Sequence, residues 1–384
     1  GVRAYLELGP DGVLTAMAAD TLAADADEPD AVLVPVLRRD RDEQVASMTA
    51  LAELHAHGVT ADWRAVLPGA RRVDLPTYAF RHRRFWPRRA TGVGNVAAAG
   101  LATAGHPLLG AAVGLADSDG VLLTGRLSVR SHPWLADHVV SGTVIFPGTG
   151  FLELAVRAGD QVGCDRVEEL TLTAPLTLGE GEAAALQVWV GAAQETGHRS
   201  VNIYARPAEA ADDVPWTRHA TGTLSTDAGA VAPFDTEVWP PAGATAIELD
   251  GLYEGLAAGG FAYGPVFRNL RAAWHGAGGE VFAEVALPEQ AGDAGLFGMH
   301  PALLDAALHA VPFAGLEPVE GGRLPFSWNG VSLRASGASV LRVRLTGTGD
   351  DSVSLTAVDA AGEPVLSARS LVLRPFSPGQ FAGG

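Results

Sequence analysis

Two segments of this chain, 149–161 and 301–311, have helical spacing yet are apolar on almost every side. In the first, charge is confined to Glu153, Arg157 and Asp160, one narrow stripe; in the second, only Asp305 and His309 interrupt apolar residues. A helix with so little polar surface has to be enclosed by other structure, because water would otherwise meet most of its apolar area. The enclosing material is legible on either side. Runs at 121–129, 168–178, 185–191, 199–205 and 218–226 alternate in the manner of strands and end at Gly, Pro or Asp. A Pro/Ala/Gly-rich stretch at 231–245 separates them from a second set at 271–276, 279–286, 330–333, 340–348, 352–358 and 365–373. Two sets of strands, each with one enclosed helix, predict two similar α+β halves side by side.

The first 95 residues have a different texture. A short strand at 5–8, a helix over 11–23, a strand over 31–37 and an amphipathic helix over 43–57 read as α/β, and so few elements cannot easily bury a core alone. The segment closes on Leu75-Pro76-Thr77-Tyr78-Ala79-Phe80, and five arginines follow between Arg81 and Arg89. Residues 90–104 are Ala/Gly/Thr-rich without periodicity, which reads as a linker. At 384 residues two or three compact units are expected, and the start at Gly1-Val2-Arg3 reads as a piece of a longer chain.

Composition narrows the function. Net charge is −17, nearly all of it beyond residue 95, and such an acidic body repels nucleic acid and anionic membrane. No apolar run reaches the roughly 20 residues of a membrane helix, and no signal pattern opens the chain. With one cysteine, Cys164, neither an intramolecular disulfide nor a cysteine-built zinc site is expected, and a cytoplasmic home follows. All 27 basic residues are Arg, which together with the Ala/Gly/Val excess reads as the codon bias of a GC-rich genome.

Three features can carry chemistry. His138 lies in a strand-like run that continues through Gly142 to Pro147 and straight into the first apolar helix. A histidine there can take a proton near neutral pH, and backbone N–H groups at a helix start can hold a thioester oxygen as it becomes enolate-like. A lone histidine is equally satisfied as an ordinary strand-end residue. Asp305 and His309, four apart, share a helical face. An aspartate on such a helix has a use if a raised pKa keeps a proton ready for a leaving hydroxyl; a thin solvent stripe like that of Glu153, Arg157 and Asp160 is the other reading. Gly260-Phe261-Ala262-Tyr263-Gly264-Pro265-Val266-Phe267 is a Gly-Pro turn between aromatics, a structural corner unless the Tyr263 hydroxyl meets a substrate.

Taken together and in this order, these elements resemble the dehydratase domains of modular polyketide synthases. His138, Gly142 and Pro147 match the HxxxGxxxxP motif, and Asp305 with His309 matches DxxxQ or DxxxH. Gly260, Tyr263, Gly264, Pro265 and Phe267 match GYxYGPxF, with Phe261 in place of its first tyrosine. Leu324-Pro325-Phe326-Ser327-Trp328 matches LPFxW, and His106-Pro107-Leu108-Leu109-Gly110 looks like the usual opening. The resemblance spans about residues 105–376 and implies a double hot-dog fold, two antiparallel sheets each wrapped around a long helix. The halves would run over 105–240 and 246–378. It also implies that His138 is the base and Asp305 the acid, meeting at a substrate tunnel whose low dielectric raises the Asp305 pKa. His309 would orient Asp305, Tyr263 would contact substrate or Asp305, and the Gly142 amide would hold the thioester carbonyl. The reaction would be dehydration of a β-hydroxyacyl thioester to the enoyl thioester, with no metal or redox cofactor. The substrate would arrive on the phosphopantetheine arm of an acyl carrier protein, guided by local arginines such as Arg268 or Arg271.

Residues 1–89 resemble the C-terminal tail of an acyltransferase domain and the linker that follows it, on Leu6-Glu7-Leu8-Gly9-Pro10, Val36-Leu37-Arg38-Arg39-Asp40 and the 75–80 segment. The acyltransferase nucleophile motif is absent, and the arginines from Arg81 to Arg89 suit docking. Neighbouring ketosynthase, acyltransferase and ketoreductase domains and a homodimer are the implied partners. A double-bond isomerase or cyclising dehydratase on the same scaffold, a silent docking module and a hot-dog thioesterase are the alternatives.

Overall fold

The structure is a computed structural model that describes residues 2–23, 31–71, 96–226, 234, 236, 238–317, 319 and 321–376. The 75–80 segment, the Arg81–Arg89 cluster and residues 90–95 of the 90–104 linker lie outside the described residues. The chain divides into two units, Gly1–Trp86 and Pro87–Gly384.

In the first unit, β1 (Ala4–Glu7) pairs in parallel with β2 (Val32–Pro35), with helices α1 (Val13–Ala23), α2 (Glu43–Ala56) and α3 (Trp63–Val66). The Glu7 carboxylate accepts the Leu14 and Thr15 amides at 3.0 and 2.7 Å, satisfying the first turn of α1. Asp42 caps α2 in the same way. The core is small: Val34, Ala50 and Leu54, with Ala4 and Val32 against them, while Leu8, Val13, Leu14 and Met17 are exposed.

The second unit contains the two halves expected from periodicity. Strands β3 (Ala102–His106), β4 (Leu109–Gly114), β5 (Val121–Leu127), β8 (Arg166–Leu172), β9 (Ala184–Val190), β10 (Arg199–Pro207) and β11 (Thr217–Ser225) surround α4 (Gly148–Gln161). Strands β12 (Thr245–Ile247), β14 (Leu270–His275), β15 (Val281–Ala286), β16 (Arg323–Leu333), β17 (Val340–Gly349), β18 (Ser352–Val358) and β19 (Pro364–Pro375) form the other set, with α6 (Pro301–Leu308) packed on β15 and β17. Alternation places one face of each strand inward: Ala184, Leu186, Val188 and Val190 of β9 are buried and the residues between them are not. This is the double hot dog, with one refinement. The sheets are not separate; β8 and β16 pair antiparallel, from Ser327 opposite Thr171 to Ser332 opposite Arg166, joining seven strands to seven in one 14-stranded sheet. The joint removes an exposed edge from each half.

Several boundaries differ from the sequence reading, each for a local reason. The strand expected over 168–178 ends at Leu172, because Pro175 lacks an amide for the ladder and the chain bends to pair with 144–146. The α-helix expected to reach 311 stops at Leu308 and continues as a 3-10 turn over Val311–Phe313, where Pro312 has no amide to donate back to the Leu308 carbonyl. The 90–104 stretch is not linker to its end: residues from Ala102 onward belong to the sheet. A short helix, α5 (Leu252–Ala258), was not foreseen.

A smaller three-stranded sheet ties the halves together. Its strands are β6 (His138–Val140), β7 (Thr143–Val144) and β13 (Phe261–Tyr263), in the order β13-β6-β7. The link between β6 and β7 is the two-residue turn Ser141-Gly142, with φ of 49° and 79°. Positive φ at both positions is the turn that matches strand twist, and Gly142 supplies the second without strain.

Candidate active site

His138 opens β6, and its register partner across the ladder is Tyr263 of β13. Asp137, just before it, anchors the turn that follows β13. Its carbonyl accepts the Gly264 amide at 2.7 Å, and its carboxylate accepts the Val266 amide at 2.8 Å. A Cβ at Gly264 would collide with that carboxylate, so the Gly-Pro turn is a clamp on the strand bearing the histidine. Gly264 and Pro265 therefore support the site from behind and do not line the cavity.

The His138 ring is buried, 3% exposed, against Phe267 (ring centroids 4.9 Å apart) and Tyr263 (5.6 Å). Its Nδ1 lies 2.9 Å from the Ile145 carbonyl. A carbonyl only accepts, so Nδ1 carries the hydrogen and Nε2 keeps its lone pair in the neutral ring. Burial pushes the His138 pKa below the ordinary imidazole value, and the Asp305 carboxyl and the Ile145 carbonyl oppose that shift.

Asp305 comes from α6 in the other half. The helix begins at His300, whose Nδ1 accepts the Ala302 amide at 3.2 Å, with Pro301 in the first turn. Thr149 of α4 donates its hydroxyl to the Pro301 carbonyl at 3.0 Å, fixing the two helix starts to each other. Asp305 Oδ2 consequently lies 3.8 Å from His138 Nε2 and 3.3 Å from His309 Nε2. The aspartate is 5% exposed, and among the described residues its Oδ2 finds no hydrogen-bond partner. The Tyr263 ring packs on His309 with centroids 4.2 Å apart, and burial holds its hydroxyl protonated, its pKa well above the ordinary value.

His138, Tyr263, Asp305 and His309 line one cavity of about 1090 Å³, with Gly148, Phe151, Leu324, Pro325 and Phe326 among its other walls. Of the residues singled out in the sequence, the structure brings these four together. Gly142 and Pro147 are not among the lining residues. Gly142 makes the hairpin turn and Pro147 caps α4, so the cavity-facing residue at the helix start is Gly148. Arg268, on the exposed surface, donates its Nε to the Tyr263 carbonyl at 2.7 Å and lays its guanidinium over the Tyr253 ring. Among the described residues no group of three or more His, Cys, Asp or Glu could hold a metal ion, and no helix is long and apolar enough to cross a membrane.

Sequence reasoning misjudged Glu153 and overlooked Tyr253. Glu153 does not sit on a solvent stripe. It is 2% exposed, accepts from His106 Nε2 at 2.9 Å, and receives the Gly298 and Met299 amides at 2.7 and 2.8 Å. It thereby ties α4 to the segment leading into α6. Tyr253 of α5 touches His309 through its hydroxyl; no motif or periodicity in the sequence marks it.

Comparison with known proteins agrees with this geometry. The family description "Polyketide synthase dehydratase domain" matches residues 106–206, and "Polyketide synthase dehydratase N-terminal domain" matches residues 231–382. Polyketide synthase GfsA of Streptomyces halstedii is 54% identical over 394 residues, covering 100% of this chain and 5% of that protein. The pikromycin polyketide synthase component PikAII of Streptomyces venezuelae is 49% identical over 387 residues, covering 100% and 10%. The chain thus spans a small part of these relatives, which are polyketide synthases many times longer. Among solved structures, one on dehydratase substrate selection for the borrelidin and fluvirucin polyketide synthases is 53% identical, with a TM-score of 0.69, covering 73% of this chain and 99% of that one. The dehydratase domain from the terminal module of the rifamycin polyketide synthase is 50% identical, with a TM-score of 0.68 and coverage of 73% and 99%. Near-complete coverage of solved dehydratases at half identity, on the fold and motifs described above, means that the chain belongs to the polyketide synthase dehydratase family, hydro-lyases acting on β-hydroxyacyl thioesters.

Proposed function

We propose that His138 and Asp305 are the base and the acid of this dehydration, acting on an acyl chain carried by the phosphopantetheine arm of an acyl carrier protein. The observation that carries the reading is the 3.8 Å approach of His138 Nε2 to Asp305 Oδ2 at the wall of one cavity.

The chemistry follows from the proton positions. The bare Nε2 of His138 takes the α-hydrogen, and the electrons of that C–H bond form the Cα=Cβ double bond. The Cβ–O bond breaks as the carboxylic acid of Asp305 gives its proton to the departing hydroxyl, which leaves as water. His138 ends protonated and Asp305 ionised. At 3.8 Å they are too far apart for direct transfer, and the released water can carry the proton back between them. Negative charge gathers on the thioester oxygen as the α-hydrogen leaves. The Gly148 amide, at the positive end of the α4 dipole and on the cavity wall, suits the stabilising role that the sequence had assigned to Gly142. His309 steadies the Asp305 carboxyl, and Tyr263 closes the pocket over both.

Residues 105–240 and 246–378 form the two halves of this unit in our reading. Residues 1–89 are an acyltransferase tail with its linker, and the whole works beside ketosynthase, acyltransferase and ketoreductase domains as a homodimer in the cytoplasm. The decisive experiment is mass spectrometry of a carrier-bound β-hydroxyacyl substrate. Loss of one water with an α,β-double bond supports the reading. A ring-closed, β,γ-unsaturated or hydrolysed product would replace it with cyclisation, isomerisation or thioester hydrolysis.

A further inference from the structure

We infer that Tyr253 is a positioning residue for the dehydration: its hydroxyl holds His309 in the tautomer that presents Nε2–H to Asp305. The inference rests on Asp305 acting as the acid.

Tyr253 is half-buried on α5, and its hydroxyl oxygen stands between two groups. The Leu270 amide lies 3.1 Å away and can only donate, so it occupies one lone pair of the hydroxyl. His309 Nδ1 lies 3.4 Å away. If Nδ1 carried the hydrogen, it would give it to the second lone pair. The tyrosine O–H would then have no acceptor, and His309 would turn a bare Nε2 toward a carboxyl oxygen 3.3 Å away. The opposite arrangement satisfies the hydroxyl and Nδ1 together and turns an N–H, not a bare nitrogen, toward the carboxyl. Leu270 N–H donates to Tyr253, Tyr253 O–H donates to Nδ1, and Nε2–H faces Asp305 Oδ2. An N–H turned toward Oδ2 from 3.3 Å favours the acidic proton on the other carboxyl oxygen. Burial keeps the Tyr253 hydroxyl protonated, and the Arg268 guanidinium over its ring fixes the ring in place.

Tyr253→Phe removes the hydroxyl and keeps the ring. Histidine-selective ¹⁵N NMR on the full chain, with the His309 signal assigned by its loss in His309→Gln, should show protonated Nε2 and bare Nδ1 in the parent protein and a mixed population in Tyr253→Phe. The same variant should lower kcat about three- to tenfold, the worth of one hydrogen bond, with KM nearly unchanged. A glutamine at 309 offers its N–H without a tautomer choice. Adding Tyr253→Phe to His309→Gln should therefore cost less than about twofold. Nδ1 protonated in the parent protein, an unchanged tautomer in Tyr253→Phe, or a full additional loss in the double variant would each overturn the inference. Retained activity in Asp305→Asn would instead defeat the acid assignment, and the tautomer measurement would stand apart from it.

Discussion

Tyr263 stands opposite His138 across the β13–β6 ladder, so a strand from the second half of the molecule holds the proposed base of the first. The base and acid therefore do not depend on one helix or one loop. Each is fixed to the opposite half, His138 through the Asp137 clamp and Asp305 through the contacts of Thr149 and Glu153.

Removing either reacting group should abolish turnover without unfolding the protein. His138→Ala, His138→Phe, Asp305→Asn and Asp305→Ala should each cost roughly 10²- to 10⁴-fold in kcat. Single-turnover assays with a carrier-bound substrate read this, alongside thermal melts that stay within a few degrees of the parent. Near-normal turnover in any of them removes that residue from its assigned role.

The acid limb of kcat/KM should fall below the ordinary imidazole value of 6.5, because burial lowers the His138 pKa and the working base is the neutral ring. Activity is then full above 6.5 and is lost only as pH falls through the lowered value. An acid limb above 6.5 would contradict this.

Stability should decline in mild acid. Burial lowers the His300 pKa to about 4 from its ordinary 6.5. Between those values the unfolded chain binds a proton that the folded chain does not, so stability is full above 6.5 and falls as pH drops toward 4. His132, His138 and His219 are shifted in the same direction by burial. His300→Asn retains a capping side chain without the titration, and urea midpoints across this range should vary less steeply with pH than in the parent.

Loosening the clamp behind His138 should impair catalysis from outside the cavity. Asp137→Ala leaves the Val266 amide without its carboxylate, at a cost of about 1–3 kcal/mol. Gly264→Ala forces a methyl group into the same carboxylate. Both should lower kcat and the unfolding midpoint together. A normal kcat in either would show that β6 keeps its position unaided.

Glu153→Ala should be among the most destabilising substitutions available. It strands His106 and two backbone amides in the interior, and breaking a buried pair costs about 3–5 kcal/mol. Denaturant unfolding measures it, and a loss under about 1 kcal/mol would mean that water takes the place of the carboxylate.

Periodicity within the chain was enough to find both enclosed helices, most strands of the large sheet and the shared helical face of Asp305 and His309, because these depend on residues close in sequence. The motifs likewise marked His138 and Tyr263 as residues of one site. Periodicity could not show that β8 and β16 join the halves, that α4 and α6 touch at their first turns, or that His138 Nε2 comes within 3.8 Å of Asp305. Those depend on which apolar faces bury each other across long stretches of chain. Glu153 makes the point most clearly: in sequence it shares a stripe with Arg157 and Asp160, and only the second half folding over α4 turns that position into an interior bridge. Likewise, only packing decided that Gly148, and not Gly142, lines the cavity.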